Sequence, residues 1–261
     1  MTETLDIPRR DSYVVFPGRN TEQMPLLIEK GRTPMTMYEF ARQKLLIRKL
    51  YNDVSKNPDN YPEEFRQKVA EKNVQLWDRY ADAGDLWLRQ SANQERKGKV
   101  VLYNEQVLDF LKKNLNPRSR LTNQGALALD RELEGAYDSF TGDNVLELSK
   151  ANIDRFFGKS NTRQEAKDSP FWRFVLRDLT NDYADAVFTD GKQKFNYDSA
   201  MGIYVADPEN VQTMRLWCVN GLGDGSDAWG RLVYYFGRLV GVVPEARNAP
   251  KATPQTLEQR V

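Results

Sequence analysis

The sequence contains no histidine and only one cysteine, Cys218. The absence of histidine excludes imidazole general bases, His-based catalytic triads and His-ligated zinc or iron. A single thiol can form neither an intrachain disulfide nor a thiolate metal site, and this cysteine usage is typical of a reducing compartment. We therefore expect no cofactor and no catalytic residue. If the chain is nevertheless an enzyme, it must work with carboxylates, Lys, Tyr, Ser or Thr, or with an oxygen-bound cation.

Long apolar runs and an excess of either charge are also missing. The longest apolar segment, LVYYFGRLVGVV, is too short to span a bilayer and contains Arg238. The N-terminus lacks the apolar region of a secretory signal. The 38 basic and 37 acidic residues almost cancel, which argues against a surface that is basic throughout but leaves a local basic groove open. These features predict a cytoplasmic protein that does not contact a membrane.

Helix signals dominate the sequence and predict a mainly α fold with about eight helices in a single domain. Thr36 and Glu39 form the pattern of a capping box, and Pro62 suits the first turn of a helix whose apolar stripe runs from Phe65 to Trp87. Ser149 is expected to cap a short helix, and Ser169 to cap a long one that ends near residue 188. Further helices are predicted over 102–116, 123–137, 207–220 and 227–240.

The ends of the chain and one internal segment depart from this helical pattern. Prolines and glycines in residues 1–33 predict an extended N-terminal arm, and residues 244–261, which have little to bury, predict a flexible C-terminal tail. The helical core then spans residues 34–243. Within it, FTDGKQKFNYDSAMGIYV contains a DG turn and β-forming residues, so a small β-hairpin is predicted there.

A glycine-rich stretch at residues 221–230, GLGDGSDAWG, raises the question of a phosphate or metal loop. It has no Lys followed by Ser or Thr, so it is not a Walker A loop, and no Glu closes it as in an EF-hand. We interpret it as a corner between two helices, capped by Asp224 or Ser226. Whether it binds anything is left open.

Three aspartates, Asp178, Asp182 and Asp185, are spaced by four and three residues, which places them on one helix face. Carboxylates in this arrangement can hold Mg²⁺ and a diphosphate, so an Mg²⁺-dependent enzyme is one alternative function. The other interpretation of the same spacing is a solvated acidic stripe.

Basic residues alternate with aromatic residues in two places, around Tyr38–Tyr51 and around Phe171–Arg177. Arginine and aromatic side chains together can hold a phosphate backbone and stack on bases. An amphipathic helix with a solvated charged face is the alternative. The candidate residues for binding nucleic acid are Arg42, Arg48, Arg163, Trp172, Arg173 and Arg177.

Two segments carry a resemblance to a known family. SNTR at 160–163, followed by Trp172, and MRLWCVNG at 214–221, followed by Trp229, resemble segments in coat proteins of flexible filamentous plant viruses of the potyvirus type. The spacing between the segments is longer here, the family's pattern continues further, and its coat proteins usually contain histidine. Its Ser/Arg/Asp RNA pocket has no matching positions in this chain. The resemblance implies a helical core, arms that reach neighbouring subunits, and a groove for single-stranded RNA.

From these observations we expect a non-catalytic protein of coat or nucleocapsid type that assembles through its terminal arms and binds single-stranded nucleic acid, located in the cytoplasm or in a virion. Arms that become ordered on a neighbouring subunit would recover their entropy cost on assembly. A protein–protein adaptor or scaffold and the Mg²⁺-dependent enzyme are the alternatives.

Overall fold

A computed structural model describes residues 13–90, 98–119, 121, 122, 125–129, 133, 135–205, 212–231 and 237–243. Within these residues, strands from most of the chain combine in one eleven-stranded sheet. The prediction of a mainly α, multi-helix fold is therefore wrong: helices and a large mixed sheet pack together. The helical core that the coat-protein resemblance implied is absent from the described residues, where helices pack on a sheet.

The helices and strands follow one another along the chain in a mixed order. The strands are β1 (Tyr13–Gly18), β2 (Thr33–Pro34), β3 (Ala81–Arg89), β4 (Gly98–Val101), β5 (Leu121–Thr122), β6 (Ala126–Ala128), β7 (Val145–Leu148), β8 (Ile203–Val205), β9 (Thr213–Val219), β10 (Ala228–Arg231) and β11 (Gly237–Val242). The helices are α1 (Asn20–Glu29), α2 (Met37–Lys56), α3 (Glu63–Asp78), α4 (Glu105–Asn114), α5 (Ala136–Ser139), α6 (Lys150–Phe156), α7 (Arg163–Asp168), α8 (Pro170–Leu176) and α9 (Thr180–Phe195).

The main path of the sheet runs in the order β1-β11-β3-β9-β10-β8. β11 pairs with β3 in parallel and β10 pairs with β8 in parallel, whereas the β1–β11, β3–β9 and β9–β10 pairs are antiparallel. Off this path, β4 joins β3 to β7, and β6 joins β9 to β5. β3 and β9 thus lie in the middle of the sheet, with neighbours on both sides.

Strand β9 shows how the sheet separates two hydrophobic cores. Its seven residues are all buried, and alternate side chains belong to different clusters. Trp217 and Val219 face the core that contains α2, α3, α8 and α9, whereas Met214 and Leu216 face the core that contains α1 and α4. This alternation is the two-residue period of a strand, and because both faces are buried, Thr213 and Arg215 included, no exposed polar position reveals it.

Strand β3 carries two buried aspartates at a break in its pairing with β9, between Asp82 and Leu86. The carboxylate of Asp85 accepts hydrogen bonds from the backbone N–H of Met37 at 2.7 Å and of Tyr103 at 2.8 Å. It therefore holds the first residue of α2 and the segment before α4 against the centre of the sheet.

Several predicted helix starts are confirmed. Thr36 and Glu39 form the capping box of α2, Ser149 caps α6, and Ser169 caps α8 with Pro170 at its first turn. The long helix predicted after Ser169 is interrupted by a 3-10 turn, Arg177–Leu179, where Arg177 has a φ of 54°. The chain then continues as α9, which ends at Phe195.

Other sequence predictions are corrected by the sheet. The predicted helix over 207–220 contains strand β9, and the predicted last helix over 227–240 contains β10 and part of β11. The predicted helix over 123–137 contains β6, and the helix predicted from Pro62 to Trp87 ends at Asp78, since Trp87 lies in β3. No hairpin forms at the predicted place among the described residues, because α9 occupies the start of that segment and β8 pairs with β10 instead.

The predicted N-terminal arm, 1–33, is wrong for residues 13–33. β1 pairs with β11 along its whole length, and α1 buries Met24 and Leu27 in the core. These apolar side chains are buried because they cover one face of the sheet. Residues 1–12 and the predicted tail, 244–261, lie outside the described residues. No helix among the described residues is long and apolar enough to cross a membrane.

Candidate binding cleft

A cleft of about 480 Å³ opens where the turn between β9 and β10 meets the ends of α3 and α9. We call this turn, residues 220–227, the cleft loop. The described residues that line the cleft are Tyr80, Ser160, Tyr197, Ser199, Asn220, Asp224, Gly225, Asp227 and Trp229. They come from four separate parts of the sequence, which the sheet and helices bring together.

The cleft loop has a defined backbone conformation. Asn220 N–H donates to the Asp227 carbonyl at 2.9 Å, which closes the loop at its base. Gly225 and Ser226 both have positive φ values, of 69° and 53°. A Cβ on Gly225 would lie 3.2 Å from a carboxylate oxygen of Asp227. A residue with a Cβ would also be strained at this positive φ, so glycine suits the position. The loop is held in one shape by its own hydrogen bonds and backbone.

Two serines are placed at the cleft by a short backbone bridge. Asn161 and Ala200 exchange both backbone hydrogen bonds at 2.8 Å. Ser160 precedes one residue of this bridge and Ser199 precedes the other, so both hydroxyl groups come to the same wall. The hydroxyl of Ser160 also lies 3.2 Å from that of Tyr204.

Two pairs of stacked aromatic rings flank the cleft loop. The rings of Tyr204 and Trp229 stack with their centroids 4.7 Å apart, and those of Phe195 and Tyr197 are nearly parallel at 6.1 Å. The hydroxyl of Tyr197 donates to the Leu222 carbonyl at 3.1 Å, so this ring is fixed to the loop. Phe195 keeps 48 % of its surface exposed. Aromatic surface that is both held in place and accessible is suited to binding.

Asp227 gives the cleft a carboxylate in a partly buried setting. Its Oδ1 accepts the backbone N–H of Gly202 at 2.6 Å, which fixes the side chain. Burial raises the pKa of Asp227 to about 6; the Gly202 N–H lowers it and the charge of nearby Asp224 adds to the increase. A ligand cation beside the two aspartates would relieve this unfavourable charge.

Beneath the cleft loop, the side chain of Lys44 is completely buried. Its Nζ donates to the Asn220 carbonyl at 3.2 Å and lies over the rings of Phe40 and Trp77, at 4.7 and 5.2 Å from their centroids. Burial lowers the pKa of Lys44 to about 7, and the charges of Asp78 and Cys218 oppose that shift. Lys44 thus supports the loop from inside the protein.

Two reactive side chains of the chain, the thiol of Cys218 and the amine of Lys44, are not at the cleft surface. Cys218 and Lys44 are both fully buried, so neither side chain can reach a ligand in the cleft. The side chains that do line the cleft offer carboxylates, hydroxyl groups, an amide and aromatic faces. This set is suited to holding a ligand by hydrogen bonds, charge and stacking.

The residues predicted to bind nucleic acid do not gather at this cleft. Trp172 is fully buried, and its indole N–H donates to the Met201 carbonyl at 2.8 Å, so it cannot stack on a base in this fold. Arg48 makes a two-point contact with Asp190, with both distances 2.7 Å. Trp172 therefore belongs to the core, and Arg48 links α2 to α9.

The other predicted arginines are distributed over the helical side of the molecule. Arg173 contacts the Asp168 carboxylate at 2.9 Å, and Arg163 lies 3.5 Å from Asp185. Arg177 lies over the ring of Tyr38, 5.8 Å from its centroid, and the charge of Arg42 also acts on Tyr38.

Of the three aspartates predicted to hold Mg²⁺, Asp182 and Asp185 line one groove, and Asp178 is not among the described residues that line it. Asp185 pairs with Lys167 at 2.7 Å, and Asp178 hydrogen-bonds with Tyr38. The groove lies between α2 and α9 and also contains Lys49. Within the described part of the chain, no group of three acidic, cysteine or histidine side chains is arranged to hold a metal ion.

Comparison with known proteins places the fold. No family model and no curated protein matches the chain. A solved structure from work on the "accommodation of massive sequence variation in Nanoarchaeota by the C-type lectin fold" matches with a TM-score of 0.57 and 14 % sequence identity. The match covers 88 % of this chain and 97 % of that one.

The chain has a C-type lectin-like fold. In this fold the cleft lies at one end of the central strands, where β9 turns into β10 beside the end of α9. The potyvirus-type resemblance is not tested by these comparisons and stays a prediction.

The glycine-rich part of this site is identified from the sequence, but the prediction of helices on both sides of that stretch is wrong. The stretch 221–230 joins two strands of the C-type lectin-like sheet and does not join two helices. Sequence reasoning missed Tyr80, Ser160, Tyr197 and Ser199, which lie 20 or more residues away from the loop along the chain. Ser160 belongs to the SNTR segment noted above, but no local pattern places any of the four at the loop, because only tertiary packing brings them there.

Proposed function

We propose that the chain is a non-catalytic recognition module that binds a protein or peptide ligand in the cleft. This corresponds to the adaptor alternative of the sequence analysis, transferred to a C-type lectin-like fold. The observation that carries the proposal is the convergence of aromatic rings, hydroxyl groups, an amide and carboxylates on one accessible cleft.

The composition of the cleft supports a protein or peptide ligand. Antibody paratopes are enriched in Tyr, Ser, Gly and Asn, with Trp at positions that dominate binding, because these residues combine rigid contact area with adaptable hydrogen bonds. The cleft has two Tyr, two Ser, one Gly, one Asn and one Trp among its nine described residues. The remaining two are aspartates, which provide charge for specificity.

The way the cleft is supported also favours recognition. Stacking on Tyr204 fixes Trp229, and a partly buried hydrogen bond fixes Tyr197, so little conformational entropy would be lost when a ligand binds. The structural neighbour's fold is described as accommodating massive sequence variation. A scaffold that keeps its core while its surface varies is suited to recognition.

Selection of peptides from a displayed random library against the purified protein tests this function. We expect the enriched peptides to bind wild-type protein and to lose at least about tenfold in affinity with Trp229→Ala, since central aromatic residues dominate such interfaces. Tyr51→Ala is the matched control, because Tyr51 is an exposed aromatic residue on α2 outside the cleft.

Two results would overturn the proposal. One is a library that yields no cleft-dependent binder; the other is a set of binders affected equally by Trp229→Ala and Tyr51→Ala. Because Trp229 lies in a strand, Asp224→Arg serves as a second variant. Asp224 is exposed, so this change alters the rim of the cleft without removing a buried contact. Folding of each variant is checked by its thermal unfolding.

A further inference from the structure

We infer that the cleft takes a guanidinium group, the side chain of an arginine that the ligand presents. This inference rests on the proposed recognition function and specifies the chemistry of its ligand. It is carried by the juxtaposition, in one cleft, of the Trp229 ring with the carboxylates of Asp224 and Asp227.

The charge of the cleft is the first argument. Asp224 and Asp227 are the only ionised side chains at neutral pH among the described residues that line it. Two nearby cations have other partners: Lys44 donates to the underside of the loop, and Arg238 donates to the Tyr80 carbonyl at 3.5 Å. A cationic ligand could therefore bind the two carboxylates without competition from a cationic side chain among the described residues that line the cleft.

The aromatic residues are the second argument, and they favour guanidinium over ammonium. A guanidinium group is planar and can stack on an aromatic face while its N–H groups form paired hydrogen bonds with a carboxylate. Trp229 and Tyr197 supply aromatic surface in the same cleft as the two carboxylates. A lysine ammonium is a strongly hydrated point charge and gains less from this combination.

The immobility of Asp227 is the third argument. Its Oδ1 is fixed by the Gly202 N–H at 2.6 Å and lies close to Gly225. A carboxylate that is already positioned loses little entropy when it binds a cation, and its partial burial strengthens the charge interaction. The raised pKa of Asp227, to about 6, has burial as its main cause and shows that the group is poorly solvated without a partner cation.

The test uses Nα-acetyl-L-arginine amide as the probe in an NMR titration, with the citrulline and lysine amides at matched ionic strength. We expect the arginine probe to shift the Trp229 indole N–H and the backbone amides of 224–227 at least about fivefold more than either other probe. Citrulline is the neutral analogue of arginine, so it isolates the effect of charge. The lysine probe carries the same charge without the planar group.

Variants then assign the effect to the carboxylates. Asp224→Asn and the double change with Asp227→Asn are expected to abolish the arginine-dependent shifts. Asp182→Asn, in the other groove, is expected to leave them unchanged. An asparagine at 227 can still accept the hydrogen bond from the Gly202 N–H. Asp224→Asn alone changes only an exposed side chain, so at least this variant keeps the conformation of the cleft loop.

Three outcomes would overturn the inference: equal shifts with citrulline, equal shifts with lysine, or shifts that survive both variants. Its failure can be separated from that of the proposed function. If selected peptides bind at the cleft while the arginine probe does not, the recognition function stands and only the guanidinium ligand is wrong. If no peptide binds at the cleft, the recognition function itself is wrong.

Discussion

The Nζ of Lys44 lies 3.2 Å from the carbonyl oxygen of Asn220, so a fully buried amine supports the first residue of the cleft loop. The lysine stem and its surrounding rings connect α2 to the turn between β9 and β10. The stability of the core and the shape of the cleft therefore depend on the same side chain. This relationship leads to the first prediction.

Lys44→Met is expected to change how stability depends on pH. The pKa of Lys44 is lowered to about 7 in the folded protein from 10.5, so between these values the unfolded chain binds more protons. The free energy of unfolding of wild type, relative to Lys44→Met, should then rise with pH from about 7 to about 10, at about 1 kcal/mol per pH unit at the steepest.

Urea denaturation at several pH values measures this difference. Lys49→Met provides the control, since Lys49 lies on the same helix but is exposed, and its difference from wild type should stay nearly constant. A wild-type advantage over Lys44→Met that is flat or falls with rising pH would contradict the prediction.

For Asp227→Asn we expect the opposite pH dependence of the free energy of unfolding, in a lower pH range. The folded-state pKa of Asp227 is raised to about 6 from 3.8, so between these values the folded protein holds the proton more tightly than the unfolded chain. The stability of wild type relative to Asp227→Asn should fall as pH rises from about 4 to about 6. Thermal unfolding across this range checks it, with Asp59→Asn as the exposed comparison. A rise over the same range would show that the carboxylate is stabilised when ionised.

Asp85→Asn is expected to cost about 2 to 4 kcal/mol of folding free energy, because the amide has only one acceptor oxygen for two buried N–H donors. In the native protein the two carboxylate oxygens of Asp85 serve Met37 and Tyr103 separately. Chemical denaturation of this variant, beside exposed Asp59→Asn, measures the cost. A loss no larger than that of the control would mean that these two donors find other partners.

Arg177→Gly is expected to stabilise the protein by about 1 kcal/mol, because Arg177 has a φ of 54° and a ψ of −125°, where glycine is not strained. Arg173→Gly, four residues earlier and within α8, should instead destabilise by about 1 kcal/mol or more. The same substitution thus changes sign with backbone conformation. Melting temperatures that move in the same direction for both variants would refute the argument from strain.

Gly191→Ala is expected to destabilise the protein although it replaces a glycine inside helix α9. A Cβ at this position would overlap the phenol ring of Tyr197, which lines the cleft. In a Tyr197→Ala background the same change should recover the ordinary helix preference for alanine and stabilise by about 1 kcal/mol. A double-mutant cycle with urea denaturation measures the coupling between the two positions. If Gly191→Ala also destabilises the protein in the Tyr197→Ala background, the prediction is wrong.

The residues that begin helices could be predicted from the sequence because helix capping is a local interaction. Thr36 and Glu39 satisfy each other's backbone groups within one turn, and Ser169 and Pro170 need only their own neighbours. The interruption at Arg177 could not be predicted in this way, since nothing in its immediate sequence marks the positive φ.

Strand β9 was misinterpreted for a physical reason. Polar and apolar residues alternate only over 213–216, because β9 is buried on both faces and Thr213 and Arg215 are themselves buried, and the short apolar run that follows does not distinguish strand from helix. The Asp-Pro and glycine residues around it then favoured a helix. Its identity as a strand is decided by pairing with β3, which lies more than 120 residues earlier in the chain.

The sequence by itself determined the chemistry that this chain has available and the places where its helices begin. It provided no imidazole and one thiol, and its capping residues act over three or four positions. Only the tertiary structure decided that the chain forms a C-type lectin-like sheet and that Tyr80, Ser160 and Tyr197 meet the cleft loop. The reason is that strand pairing and cleft formation join residues far apart in the chain, and such contacts leave no periodic signal in the local sequence.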